Sequence, residues 1–172
     1  FDVLSIIYDL ENDTPLKISI LKILLQLLRF SPGDMIHCFT NTSSPYVKIV
    51  NSAVTCEETD KKYLIQLGIL ILIELIKYSN SNNVKILDYG YEIPKVLNYL
   101  QRTFQIDNTI LCLTFGLLSE CMSLSNTFIM FNPKYVKMIK EIIRNAKGKG
   151  RDDNKKLEGT GLGYLHTAIL DY

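Results

Sequence analysis

His37 and Cys38 are the one histidine–cysteine neighbour pair in this chain, and so the first place to look for a metal or a nucleophile. A structural or catalytic zinc needs three or four such ligands at helical or loop spacing. The only other imidazole, His166, stands more than a hundred residues away. Cysteine nucleophiles need a nearby base and a group that orients it, and neither accompanies Cys38. The run "GTGLG" at 159–163 has the glycines of a phosphate loop, but a Walker loop places its lysine after the glycines and a strand before them. Here Lys155 and Lys156 precede the glycines. The carboxylates Glu74, Asp107 and Glu120 are spread over different apolar segments, and Asp107 reads as the cap of a helix beginning near Asn108. No pair is placed for acid–base work. The expectation is a protein that is not an enzyme and holds no metal and no cofactor.

Charge is nearly balanced over the 172 residues, with nineteen basic and eighteen acidic side chains, but it is uneven. Residues 133–156 carry nine basic and three acidic groups, a local +6, while the others sum to −5. Lys137, Lys140 and Arg144 fall on one helical face there, so residues 134–156 offer a basic surface for nucleic-acid phosphates. A solvated helix face followed by a soluble loop explains the same charges. Residues 146–161, rich in glycine and charge, read as a flexible basic loop. The four cysteines, Cys38, Cys56, Cys112 and Cys121, lack paired spacing, and no signal peptide is visible. Reduced thiols place the chain inside the cell, in cytoplasm or nucleus. It opens at Phe1 within an apolar, helix-like run, which reads as a piece of a larger protein, and one domain is expected over 1–172.

These residues must be positioned by helices. Leu64 to Ile76 holds ten aliphatic residues in thirteen, interrupted by Gln66, Gly68 and Glu74. It is shorter than the roughly 20 apolar residues of a membrane span and longer than an ordinary strand. It therefore reads as a helix of about five turns, apolar nearly all round and sandwiched by other helices, with no membrane span expected. Its start is expected at Thr59 or Asp60 and its end near Lys77, with a turn at 79–85. Residues 40–59 are poorly periodic and read as a loop, with one short helical or extended piece at "YVKIV".

The long helix has counterparts. "ILKILLQLLRFS" (20–31), "GILILIELIKYS" (68–79) and "LTFGLLSECMSLS" (113–125) each run apolar into a serine, and Ser31, Ser79 and Ser125 are spaced by 48 and 46 residues. "GLGYLHTAILDY" begins where a fourth would stand. Shorter amphipathic segments at 92–104 and 132–146 precede the later ones. Thr14-Pro15 and Asn132-Pro133 are helix starts.

A helical period of this length is the mark of an α-solenoid. Over residues 15–172 the pattern resembles the armadillo/HEAT-like helical repeat superfamily, and "NTFIMFNPKYVKMIKEIIRNA" is similar to the first two helices of an armadillo unit. The resemblance implies an all-α, right-handed solenoid of three to four units. A compact helical bundle is the other architecture the pattern permits. In armadillo-like proteins the longest helix of each unit lines the concave face, which implies a ladder of Lys22, Gln26 and Arg29, then Leu70, Glu74 and Lys77, then Gly116, Glu120 and Ser123, with His166 on a fourth step. Such a ladder implies an interaction scaffold that binds a peptide or helical segment of a partner protein. The groove asparagines typical of peptide-binding armadillo proteins are absent from these positions. The alternatives are a nucleic-acid-associated module using 134–156, or a structural segment of a large multi-subunit scaffold.

Overall fold

A computed structural model describes residues 2–10, 13–41, 43–56, 61–82, 91, 96 and 108–122. The chain divides into two compact units, Phe1–Ile93 and Pro94–Tyr172. Six helices and no strand lie among the described residues: α1 (Asp2–Leu10), α2 (Thr14–Phe30), α3 (Pro32–Phe39), α4 (Pro45–Val54), α5 (Lys62–Asn82) and α6 (Asn108–Met122). The fold is all-α, as its 3.6-residue patterning requires. The segments at 92–104 and 132–146, the loop at 146–161 and the basic surface lie outside the described residues, apart from Val96.

α2 is set by its punctuation. Pro15 sits in its first turn, where a missing N–H costs nothing, and Asp13, extended at φ −72° and ψ 107°, is its N-cap. The cap is thus one residue earlier than Thr14, and Asp13 makes no side-chain cap bond. At the far end the Ser31 N–H donates to the Leu27 carbonyl at 2.9 Å, and Pro32 opens α3 at once. Proline cannot continue the helix before it, so the chain bends there. Ile20, Leu21, Leu24, Leu25 and Leu28 are the buried stripe of α2.

The short helical or extended piece expected within 40–59 is a helix, and α4 makes it longer than "YVKIV". Tyr46, Val47, Ile49, Val50, Ala53 and Val54 are all buried, at the spacing of one helical face. The β-branched residues obscure it, because they favour strands where nothing else decides. Capping decides here. The Ser44 hydroxyl accepts from the Tyr46 N–H at 3.2 Å and donates to the Cys38 carbonyl, so one side chain starts α4 and ties it to the end of α3. Pro45 follows at the first helical position.

α5 forms as expected, but it runs on to Asn82, and the turn expected from 79 starts no earlier than 83. Ser79 is buried. Ser81 Oγ and Asn82 Nδ2 donate to the carbonyls of Lys77 and Tyr78 at 3.0 and 2.9 Å. These polar side chains bond to the preceding turn and do not end the helix. The expected caps Thr59 and Asp60 lie outside the described residues. α5 is long and apolar enough to cross a membrane by length and composition alone. In this fold it is a core helix, with Leu64, Ile65, Ile69, Ile71, Leu72, Ile73, Leu75 and Ile76 all buried. Each such side chain contributes roughly 1.5–3 kcal/mol.

Within the first unit the helices pack as two pairs. α1 lies against α2 and α4 against α5; pair meets pair through α1 on α4 and, most extensively, α2 on α5. α3 touches α2, α4 and α5. The Tyr8 hydroxyl lies 3.5 Å from Ser52 Oγ, between α1 and α4, and Lys17 Nζ of α2 stands 5.0 Å from the centroid of the Tyr8 ring.

Gly68 lets α4 and α5 approach closely. A β-carbon there would stand 2.6 Å from Val54 Cγ1 and 3.2 Å from Ala53 Cβ. Val54 is buried and its β-branched side chain has one favoured helical rotamer, so it yields poorly. Gly68→Ala is therefore expected to destabilise by about 1–3 kcal/mol, despite the ~1 kcal/mol that alanine's helix propensity returns. Urea unfolding checks this; a stabilised variant would mean that α4 and α5 do not touch at Gly68.

Candidate functional site

Two stripes of accessible side chains run along α2 and α5. On α2 they are Pro15, Ser19, Lys22, Gln26 and Arg29, all exposed. On α5 they are Tyr63, Leu67, Leu70, Glu74 and Lys77, of which Tyr63 and Lys77 are exposed and the other three half-buried. Both follow the same i, i+4, i+7, i+11, i+14 spacing, and each residue of one stands 48 before its counterpart in the other. Between Leu64 and Ile76 every other residue of α5 but Gln66 is buried, so this stripe is the side of a core helix left open to solvent.

The stripes are joined. Arg29 Nε lies 3.2 Å from Glu74 Oε1 and donates a hydrogen bond to it. Lys77 Nζ is 4.0 Å from the same oxygen. Glu74 is the most enclosed of the three, its side chain 23% exposed against 42% for Arg29 and 50% for Lys77. Pairs this open contribute about 0–1 kcal/mol each. Their effect is positional: one carboxylate gathers two cations where α2 meets α5, and Lys22 and Gln26 continue the row along α2.

α6 shows the same phase by itself. Leu113, Gly116 and Glu120 are half-buried, whereas Thr114, Leu117 and Cys121 are buried. Thr114 Oγ1 donates to the Ile110 carbonyl at 2.7 Å, which satisfies that buried hydroxyl. Ser123 and His166 lie outside the described residues, as do Lys137, Lys140 and Arg144. The structure thus brings Lys22, Gln26, Arg29, Leu70, Glu74 and Lys77 onto the open sides of two packed helices and places Glu120 on the open side of a third. Sequence reasoning missed Ser19, Tyr63 and Leu67, which extend both stripes. Carrying the ladder's phase one or two turns toward the N-terminus would have found them.

Among the described residues the chemistry-bearing side chains are not gathered. His37 is exposed near the end of α3, and Cys38 beside it is half-buried. Among the described residues no group of three His, Cys, Asp or Glu side chains could hold a metal ion. Cys38, Cys56 and Cys121 are free thiols. Burial, with a smaller contribution from the Glu120 carboxylate, pushes the Cys121 thiol from 9.0 up to about 12. The folded state therefore keeps a proton that the unfolded chain loses above about pH 9. This contribution to stability is full below pH 9 and is lost as pH rises toward 12. Cys121 is expected to resist iodoacetamide at pH 8 in the folded protein while half-buried Cys38 and Cys56 react, read by peptide mass mapping. Alkylation of Cys121 at the rate of the other two would contradict its burial.

The described residues define an all-α protein with helices packed in pairs and a polar stripe shared by its two longest helices. Comparison with models of known protein families, with curated proteins and with solved structures finds no match.

Proposed function

We propose that the chain is a non-enzymatic interaction scaffold of armadillo/HEAT-like type, in which the stripe on α2 and α5 receives a peptide or helical segment of a partner protein. The observation that carries the reading is the register of the two stripes. Side chains 48 residues apart stand at the same phase of two helices that pack against each other, which is how a stacked repeat builds a ladder. α3, α4 and α5 follow one another as a short, a medium and a long helix, the order of an armadillo unit. The free thiols support an intracellular setting.

The stripe suggests the partner's chemistry. Lys22, Arg29 and Lys77 stand against the single carboxylate of Glu74, and Leu67 and Leu70 supply apolar steps between Tyr63 and Glu74. A segment with one or two apolar anchors and an acidic group toward Lys22 fits this row. Charge complementarity there would govern association rate and selectivity more than total affinity. The basic surface at 134–156 supports a nucleic-acid reading by its charge alone.

Capture from native extract tests the proposal with the whole chain. Lys22→Glu combined with Lys77→Glu is expected to leave helix content and Tm nearly unchanged, because exposed charges contribute little to stability. The same variant is expected to reduce recovery of directly bound proteins about tenfold, the equivalent of ~1.4 kcal/mol. If recovery is unaffected, and replacing Lys137, Lys140 and Arg144 with alanine abolishes it, the basic segment is the site and the ladder reading fails.

A further inference from the structure

Ile23 and Phe30 are exposed on α2, at 46% and 83%. They share its solvent side with Ser19, Lys22, Gln26 and Arg29. At about 100° of turn per residue, these side chains span an arc of about 120°, and they are sorted within it. Arg29 and Lys22 form the edge next to α5, where Arg29 meets Glu74. Gln26 and Ser19 run along the middle. Phe30 and Ile23 form the opposite edge.

Spacing, charge and the next long helix say what fits this arc. Ser19, Ile23, Gln26 and Phe30 are separated by four, three and four residues, the step of a seam between two helices lying side by side. Lys22 and Arg29 each stand one residue before an apolar step, on the flank of that seam. An extended peptide repeats every two residues and does not follow such a step. Along the flank, Lys22, Arg29 and Lys77 are exposed, and the one carboxylate among them, Glu74, is half-buried. Three cations against one anion make that edge basic. On α5 the counterpart of Ile23, Ile71, is wholly buried, and that of Phe30, Tyr78, is half-buried. The phase left bare on α2 is thus one that protein covers on α5.

We propose that the exposed arc of α2 receives an amphipathic helix of a partner protein, laid lengthwise with apolar residues on Ile23 and Phe30 and an acidic edge on Lys22 and Arg29. This rests on the scaffold reading and specifies the occupant: a helix rather than an extended peptide, anchored by two apolar side chains outside the ladder. Phe30 supplies the larger anchor, since an exposed aromatic ring gains most from being covered. The basic edge selects partners whose flanking residues are acidic and rejects those whose flank is basic.

Fluorescence anisotropy of the whole chain with a labelled peptide of about three heptads tests it. The peptide carries leucine along its seam and glutamate at the flanking positions, whose mutual repulsion keeps it from pairing with itself. Binding is expected with a Kd of about 10 µM. A peptide with lysine in place of glutamate is expected to bind at least about tenfold more weakly, and so is the acidic peptide to Lys22→Glu. Ile23→Ser combined with Phe30→Ser alters only exposed side chains, so helix content by circular dichroism is expected to hold while affinity falls at least about tenfold. No binding at about 100 µM peptide would overturn the proposal, as would binding that either variant leaves unchanged. Binding of phosphatidylserine–phosphatidylcholine vesicles in place of the peptide would overturn it too, and would make the arc a lipid surface. If the peptide fails while Lys22→Glu with Lys77→Glu still lowers capture from extract, this inference falls and the ladder reading stands; if capture is also unaffected, both fall.

Discussion

Phe39→Ala is expected to lower the free energy of unfolding by about 3–5 kcal/mol, the usual cost of removing a buried aromatic ring. Phe39 closes α3 and is wholly inaccessible to solvent. Its ring centroid lies 5.6 Å from that of Tyr46, tilted by 45°, a geometry that adds to simple burial. Its carbonyl accepts the hydroxyl of Tyr91 at 2.8 Å. Tyr91 is itself buried, and burial pushes its phenol well above the ordinary range. Phe39 is thus where α3, α4 and the segment at Tyr91 converge. Deleting the ring leaves a cavity at that junction, and its neighbours can collapse into it only by moving two helices. For a chain of this size the loss corresponds to a Tm lower by about 6–20 °C. Urea and thermal unfolding measure it; a midpoint equal to wild type would place Phe39 outside the core.

The second large effect tests which side of α5 is open. Leu72→Ala and Leu75→Ala are each expected to cost about 2–5 kcal/mol, since both side chains are essentially inaccessible. Leu70→Ala, in the same helix and of the same chemistry, is expected to cost less than either, because part of its surface already faces water. The contrast is the measurement. Equal losses at 70 and 75 would show that the ladder side of α5 is covered, and the proposed binding stripe would lose its accessibility.

Much of this fold is legible before any coordinate. α2, α5 and α6 appear as apolar runs at helical spacing. Their polar steps at Lys22, Gln26, Arg29, Glu74, Lys77 and Glu120 fall on the more accessible side in every case the structure describes. A helix has a fixed period, so the phase at which a polar residue is tolerated among apolar ones marks the side that faces water. That information is local and survives in the order of residues.

Other features are decided only when helices meet. α4 reads as no more than a short helical or extended piece within a loop, because Tyr46, Val47, Ile49 and Val50 suit a strand as well as a helix; the Ser44 cap and packing against α5 choose between them. Gly68 looks like a break in an apolar run, and the closeness of Val54 makes it a contact. Arg29 and Glu74 stand 45 residues apart, and nothing in their neighbourhoods announces the pair. Ile23 and Leu27 repeat in Ile71 and Leu75, yet the first two keep their contact with water and the second two lose it. The physical reason is the same each time. Backbone hydrogen bonding and side-chain periodicity act over a turn or two of chain, whereas burial, ion pairing and close approach depend on which faces of separate helices come together, and only tertiary packing settles that.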